Sequence, residues 1–505
     1  MLTVSAGAFA QQQNPADTVY LFSQNARQLQ EAQQNAAALI TTQYNDVSTL
    51  SLAYNLQNGH FRTSQTAEKG REASFKSSGI STLGRFKVAG YFNFVRTWQD
   101  SLAWTMQGYT DEATPYYFAA GKAGKYDRLN YNFGGLVSYS LIKDKLYLAA
   151  GVTYLYNTAS RSVDPRPSVQ TFQLNITPQI LYKTGKQVFG AALNLGYGKE
   201  QNNVAYRNLD YAGQSQTYAD RINYLVIGYG LTTPYGAGSF RRKNDVSGFG
   251  LNYAYNGSNA YLSTALNYTH NYQDNFISLD ASKERNRYGI LRLNNYSGKI
   301  LTGVKRGNYH HQLQASALWQ KGYDNNYYEV AGLSNYKYSH QNVNVSYSVL
   351  KASASAQKTE LGLNFIYDNV SKRDIGSSIS STFGYVQPGL NGTIYSSFKN
   401  NSRLALSLSP GVRLPVGNEV KVPVTTNVFA NNIIYPDLTY WSSTAGVLGF
   451  NARYITPHIL KNVNSGISFN ANYINALSLG TNYQTGKFIP GKQRIDLTLS
   501  FDMYF

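Results

Sequence analysis

The chain has 505 residues, with 45 Lys and Arg against 27 Asp and Glu, a formal charge of +18, 44 Tyr, 43 Gly and no Cys. Charged residues make up only 14%, against roughly 25% in ordinary soluble domains, and aromatics also reach 14%. The missing Cys excludes a disulfide scaffold, a Cys zinc site and a Cys-anchored lipoprotein; the aromatic content excludes disorder; and no apolar run approaches the ~20 residues of a membrane helix.

Mean hydropathy is nevertheless only −0.37, because Asn, Gln, Ser and Thr stand where charges usually do. That composition suits a wall with lipid on one side and water on the other. The positive charge is spread thinly over a long chain, so anionic headgroups or lipopolysaccharide phosphates are as good an electrostatic partner for it as nucleic acid. Nucleic acid is not expected: it needs exposed stacking aromatics along one basic surface, and here the aromatics are committed to strand faces.

In chain order, Met1–Ala10 reads MLTVSAGAFA. Ala8 and Ala10 place small residues at the two positions of an A-x-A cleavage site, so residues 1–10 are read as a partial signal peptide without its basic region. Residues 11–46 are read as an N-terminal segment, either periplasmic or a plug entering a lumen. Within it Ser23–Leu39 predicts a short helix, with Ser23 as its cap and Leu29, Ala32, Ala36 and Leu39 on one stripe.

Residues 47–505 predict strands throughout. Leu404, Leu406 and Leu408 alternate with Ala405, Ser407 and Ser409. Val343, Val345, Tyr347 and Val349 alternate with Asn342, Asn344, Ser346 and Ser348, and Ile467, Phe469, Ala471 and Tyr473 with Ser468, Asn470 and Asn472. One face is apolar and the other uncharged polar, the pattern of a membrane barrel. Many strands run about ten to fifteen residues, against roughly five or six in soluble sheets. Aromatic pairs near strand ends, Tyr154 and Tyr156, Tyr268 and Tyr272, Tyr91 and Phe94, mark an interfacial girdle.

Tight turns are expected at Leu83-Gly84-Arg85, Lys143-Asp144, Thr184-Gly185-Lys186, 256–259 and 399–402. Longer polar connections fall near 98–126, 200–219, 274–285, 322–334, 415–436 and 477–491. Short turns on one side and long loops on the other indicate periplasmic and extracellular ends respectively. About nineteen strand-like segments can be counted, with two around 200–245 running the same way; an all-β, antiparallel up-and-down transmembrane barrel of about 18 strands (roughly 16–20) is predicted.

The final strand alternates without a break through Ile495, Leu497, Leu499, Phe501, Met503 and Phe505. This resembles the signal read by the outer-membrane insertion machinery, which is expected as a partner. An apolar-faced strand of this kind can add to an exposed sheet edge.

Taken together, Asn35–Leu39, the pair Tyr54-Asn55-Leu56 and Gly59-His60-Phe61-Arg62, the Gly84–Gly90 hairpin and the terminal strand resemble a family of uncharacterised outer-membrane β-barrels of Bacteroidota-type envelopes. That resemblance implies an accessory barrel found near TonB-dependent receptors in metal or haem uptake. A TonB-dependent receptor or surface lipoprotein is the partner it implies, and it supplies no site residues.

Chemistry is sparse. The six His are His60, His270, His310, His311, His340 and His458. His310 and His311 are adjacent on a strand and face opposite ways; a metal contact needs one of them near His270 or His340, so metal ligation stays unknown. Asp210, Asp220 and Asp245 are scattered carboxylates. No spacing singles out a Ser nucleophile, and no catalytic residue, cofactor or enzymatic activity is expected. Gly228-Tyr229-Gly230 and Gly248-Phe249-Gly250 lie in strand patterns and are not nucleotide loops. Of the basic clusters, Arg241-Arg242-Lys243 and 283–287 are placed in extracellular connections, and Lys305-Arg306 near a strand end. Arg241, Arg242 and Lys243 are the candidate contacts for an anion or lipopolysaccharide phosphates.

The expected protein is therefore an integral barrel of the bacterial outer membrane, a passive channel or an accessory in solute uptake. The alternative is a plugged barrel docking a partner protein or surface glycolipid. Fewer than about 40 residues separate the expected cleavage from the first strand, so a lumen-filling receptor plug is not expected.

Overall fold

A computed structural model of the chain describes residues 16–109, 111–278, 286–328, 331–352, 357–424, 426–461, 463–481 and 488–505. The expected signal segment Met1–Ala10 and the basic triplet Lys283-Glu284-Arg285 lie outside the described residues.

Eighteen long strands form the wall. The first six are β1 (Val47–Gly59), β2 (Lys69–Leu83), β3 (Phe86–Leu102), β4 (Gly124–Ile142), β5 (Leu146–Arg161) and β6 (Arg166–Thr184). The next six are β7 (Gln187–Ala205), β8 (Gly238–Asn256), β9 (Ala260–Ser278), β10 (Arg287–Arg306), β11 (Tyr309–Asn326) and β12 (Tyr336–Lys351). The last are β13 (Gln357–Asp374), β14 (Ile379–Ser397), β15 (Arg403–Pro415), β16 (Thr444–Leu460), β17 (Val463–Ser478) and β18 (Gln493–Tyr504). Each pairs antiparallel with its sequence neighbour, and β1 pairs with β18 from Thr49↔Tyr504 to Gly59↔Arg494. The sheet thus closes with no unpaired edge, the condition for strands to cross a bilayer. Strands run from 12 to 20 residues, longer than the ~9–11 that a tilted membrane strand needs, so the wall continues beyond the lipid.

The strand number agrees with the sequence-based expectation, and the conflict around 200–245 has a physical answer. The extra segment, Tyr224–Ile227, is not in the wall. It pairs with Tyr116–Ala119 and Thr232–Pro234 in a small sheet of its own. Gly228–Gly230 is the turn of that inner hairpin rather than part of a long strand, and Gly230 has φ +102°, which an L side chain rarely adopts.

Among the described residues, all the two- and three-residue hairpins lie at one end. Gly84, Gly185 and Gly307 take φ near +60° there, as do Asp144 and Asn401, the left-handed geometry that matches the twist of two-residue hairpins. Each long connection lies at the other end.

Outward faces are apolar: Leu361 is 69% exposed, and Leu193, Leu251, Leu390 and Leu499 exceed half. Rings pack along the lipid side as Phe94–Tyr131 at 5.0 Å, Tyr131–Tyr156 at 6.3 Å and Phe133–Tyr154 at 5.0 Å. Tyr91 departs from the girdle expectation. It stands three positions from Phe94, an odd step, so it faces the lumen, where its hydroxyl donates to Asn132. Gly134 makes room for it: a Cβ there would lie 2.6 Å from the Tyr91 ring.

The N-terminal segment forms three helices, α1 (Ala16–Leu21), α2 (Ser23–Gln34) and α3 (Ala36–Thr41), inside the short-turn end of the barrel. The predicted single helix is broken at Asn35, and the cap is Asn35 rather than Ser23. Its side chain accepts from the backbone of Ala37 and Ala38 at 3.0 and 3.4 Å, leaving the Ser23 hydroxyl free to reach the wall.

Candidate functional site

The site is the lumen and the two caps that close it. At the short-turn end, the stripe Leu29, Ala32, Ala36 and Leu39 is buried, with Ala37 and Leu39 fully so. It packs against inward residues of every strand from β1 through β8, among them Val47, Ile80, Leu136, Leu181 and Val188, and again of β12, β14, β15, β16 and β18. Tyr20 stacks on Tyr504 at 4.7 Å, and Phe22 meets Tyr395 edge-on at 4.9 Å.

On the remaining side the seal is polar. Ser23 Oγ donates to Glu360 at 2.6 Å, and Tyr395 donates to the same carboxylate at 2.6 Å. Gln24 donates to Ser348, Arg27 to Gln312 at 3.0 Å, Asn35 to Ser263 at 3.0 Å, and Arg453 to the Tyr20 carbonyl at 2.8 Å. A cleft of about 310 Å³ runs beside α2 along this polar arc, between Gln28, Glu31, Tyr261, His310 and Lys358. Each hydrogen bond contributes on the order of 1 kcal/mol, so the apolar arc is the stronger part of the seal.

At the long-loop end, the inner sheet and the segment Phe429–Trp441 fill the mouth. Tyr117, Val226, Tyr229, Ile433 and Ile434 pack on wall residues Leu291, Leu293, Tyr336 and Phe383. A second cluster joins Met106, Phe118, Leu225 and Ile227 to Phe240 and Tyr288. Gly289 is required where Tyr116 crosses the wall, since a Cβ would lie 2.1 Å from that ring. Tyr116 donates to Asp324 at 2.6 Å, whose other oxygen accepts the backbone of Asn335 and Tyr336.

Arg413 pins the lid segment. Its guanidinium is 2% exposed and lies 4.2 Å from the Tyr440 ring, 4.5 Å from Tyr385 and 5.1 Å from Trp441. None of its nitrogens has a hydrogen-bond partner among the described residues, so the aromatic faces are what stabilise the charge.

A small cavity of about 100 Å³ remains beneath this lid, among Gln107, Tyr117, Tyr229, Lys372 and Asp437. Asp437 accepts the Ser64 backbone N–H at 2.7 Å. Burial pushes its carboxyl up to about 6, a rise that the Ser64 hydrogen bonds and Lys372 oppose and Glu112 reinforces. Arg62 faces it too; burial lowers that guanidinium to about 10, so it stays charged at neutral pH. A carboxyl with a raised value in the closed lid and an ordinary one in the open lid favours closure at low pH. The effect is complete below the ordinary value of 3.8 and lost as pH rises through about 6. Hydrogen exchange at residues 430–441, corrected for intrinsic rate, should be slower at pH 5 than at pH 7, by about tenfold. Asp437→Asn should remove that difference; an unchanged pH dependence in the variant would assign it elsewhere.

Between the caps the lumen is lined by amides and a few acids. Asn55 and Gln57 both donate to Asp496 at 2.7 Å, Asn244 donates to Gln173 at 2.8 Å, and Gln320 to Asn295 at 2.7 Å. His340 sits between Gln320 at 3.1 Å and Asp368 at 3.2 Å.

The sequence-derived candidates disperse over this frame. His310 faces the α2 cleft and His311 faces outward to Tyr347, while His270 bonds Asn294 on the outer face. No group of three His, Asp or Glu able to hold a metal occurs among the described residues. Asp220 pairs with Lys122 at 3.3 Å, Asp210 opens a four-residue helix, and Asp245 is exposed on the outer face. Arg241, Arg242 and Lys243 lie within β8 rather than in a loop, and strand alternation splits them. Arg242 points inward at 6% exposure, donating to Asn275, Thr114 and the Tyr116 carbonyl with Glu200 at 3.8 Å. It holds the inner sheet and does not reach a lipid. Arg241 and Lys243 point outward, Lys243 lying 5.5 Å over Phe276. Along β18, Ile495, Leu497, Leu499, Phe501 and Met503 face outward beside β1 and β17, and Phe505 follows the strand's end. Sequence reasoning missed Glu360, Arg413 and Asp437, which carry no local signature. Asn35, standing directly before Ala36-Ala37-Ala38-Leu39, was readable as a cap.

A closed sheet with an apolar exterior and a wet interior defines an integral β-barrel of the bacterial outer membrane. Residues 36–505 match the model of DUF6850, a family of unknown function, and the chain belongs to that family. No curated protein matches its sequence. Among solved structures, it is similar to the FrpB iron transporter from Neisseria meningitidis, at 12% identity and a TM-score of 0.35 over 92% of this chain and 82% of that one. It is similar also to the outer membrane transporter YddB from Escherichia coli, at 8%, 0.35, 92% and 81%. The copper transporter OprC gives 8%, 0.37, 92% and 81%.

Proposed function

We propose that the protein is a barrel shut at rest, serving solute uptake at the cell surface as an accessory that docks a partner. The observation that carries this is the double closure: helices 16–41 seal one end of the lumen, and the inner sheet with Phe429–Trp441 fills the other. It favours the plugged alternative over a permanently open passive channel. A Bacteroidota-type envelope, a TonB-dependent receptor or surface lipoprotein as the partner, and a metal or haem cargo belong to the same proposal. Their support is the resemblance carried by Asn35–Leu39, Gly59–Arg62 and the Gly84–Gly90 hairpin. A non-enzymatic role completes the reading, as does the use of Ile495, Leu497, Leu499, Phe501, Met503 and Phe505 as the insertion signal.

Liposome swelling tests it. Vesicles carrying the full-length protein should swell in small sugars no faster than protein-free vesicles. Swelling at a porin-like rate, graded by sugar size, would establish the passive channel instead.

A further inference from the structure

The outer face of β8 to β13 is layered by its register. Residues paired across neighbouring strands form rows running across the strands, and one row toward the long-loop end of each strand runs Tyr272, Arg292, Tyr323, Lys337, Arg373. Lys321 lies in the row below, paired with Asn294. Arg241 and Lys243 lie above, paired with Phe276 and Asp274. Arg292, Lys321, Lys337 and Arg373 share a face whose acids, among the described residues, are Asp245 and Asp274, and Asp274 is already held by Arg287 at 2.6 Å. On β3 and β4, by contrast, the outward cations are matched: Arg96 by Asp127 at 2.7 Å and Lys125 by Asp100 at 3.9 Å.

Beneath the cationic rows lies a row of rings. Phe249, Tyr268, Tyr296 and Trp319 touch in sequence at 5.4, 5.2 and 5.8 Å. Such a belt marks the boundary between headgroups and acyl chains. One row further down the wall drops to Gly298 and Ala317 between Leu266 and Val343. A cleft of about 890 Å³ opens over that floor. The cations above it are held in place: Arg292 lies 5.5 and 5.7 Å from the Tyr272 and Tyr323 rings and also donates to Asn325, and Lys321 lies 4.2 Å over Trp319. From Arg292 to Gly298 the strand spans about 20 Å, enough to put a phosphate at one level and an acyl chain at the other.

We propose that this face binds one phosphorylated, multiply acylated glycolipid of the lipid A type, drawn from the outer leaflet. The charge asymmetry selects a polyanionic headgroup, and arginine and lysine at a rim can hold several phosphate oxygens at once. The floor of small residues selects acyl chains. Neither feature depends on whether the lumen is open, so the proposal stands apart from the plugged-barrel reading.

Native mass spectrometry of the full-length protein in detergent tests it, with diphosphoryl lipid A, phosphatidylglycerol, phosphatidylcholine and inorganic phosphate added in turn. The protein should retain one diphosphoryl lipid A at least about tenfold better than either phospholipid, and no phosphate alone. Arg292→Ala with Lys337→Ala and Arg373→Ala should lower retention about tenfold or more, and Ala317→Trp, which fills the cleft, should lower it too. Lys337 and Arg373 are exposed strand-end side chains, so Lys337→Glu with Arg373→Glu leaves the barrel folded and should give the same loss. Equal retention of phosphatidylglycerol would make the face a general anionic surface and overturn the proposal. So would wild-type retention by the charge variants, or capture of inorganic phosphate by itself.

Discussion

Leu39→Asp should free the plug at the short-turn end of the barrel. Leu39 is fully buried where α3 meets the wall. Removing its side chain from that contact forfeits roughly 3 kcal/mol of burial, and leaving a carboxylate there without a partner costs several kcal/mol more. The polar latches at Ser23, Gln24, Arg27 and Asn35 contribute on the order of 1 kcal/mol each, too little to hold α3 against that loss. Limited proteolysis of the variant should cleave within residues 16–41 at least about tenfold faster than in wild type, a factor worth about 1.4 kcal/mol in the plug equilibrium, while sugar swelling stays slow because the inner sheet and lid still close the other end. Gln28→Asp, on the cleft side of α2, is the control and should stay protected. Helices as protected in Leu39→Asp as in wild type would mean that the apolar arc does not hold the plug.

The second large effect concerns insertion of the wall. Leu499 is 57% exposed on the lipid side of β18, opposite Tyr54 and Phe469, while its neighbour Ser500 faces the lumen and donates to Asp502. Leu499→Arg puts a guanidinium among acyl chains, at a cost of about 2–4 kcal/mol near the bilayer midplane. Ser500→Arg puts the same group in water beside a carboxylate. Urea titration after folding into vesicles should show a loss of about 2–4 kcal/mol for the first and under about 1 kcal/mol for the second. Equal losses would mean that β18 does not face lipid along this register.

What was legible in the residues followed from period two. Leu404 with Leu406 and Leu408, or Ile467 with Phe469, announced which side of a strand met lipid, and the Gly, Asn and Asp turns announced which end was short. Tyr224–Ile227 has the same local pattern as a wall strand, because a strand buried in a small inner sheet also wants apolar residues; only its pairing partner distinguishes the two. Arg241, Arg242 and Lys243 read as one basic cluster, although alternation alone sends Arg242 into the lumen. The plug was legible as a stripe, Leu29 to Leu39, but its destination was not. The contacts that place it, Glu360 to Ser23 and Arg453 to Tyr20, join residues more than 300 positions apart. Arg413 was invisible for the same reason, since its cage of Tyr385, Tyr440 and Trp441 comes from two separate elements.

Single-channel recording of the full-length wild-type protein in a planar bilayer at neutral pH tests the closed-lumen account most directly. The account predicts insertion without stable conductance steps, the two caps holding the lumen shut. Steady, uniform steps from the unmodified protein would show a continuous aqueous path past both caps and contradict it.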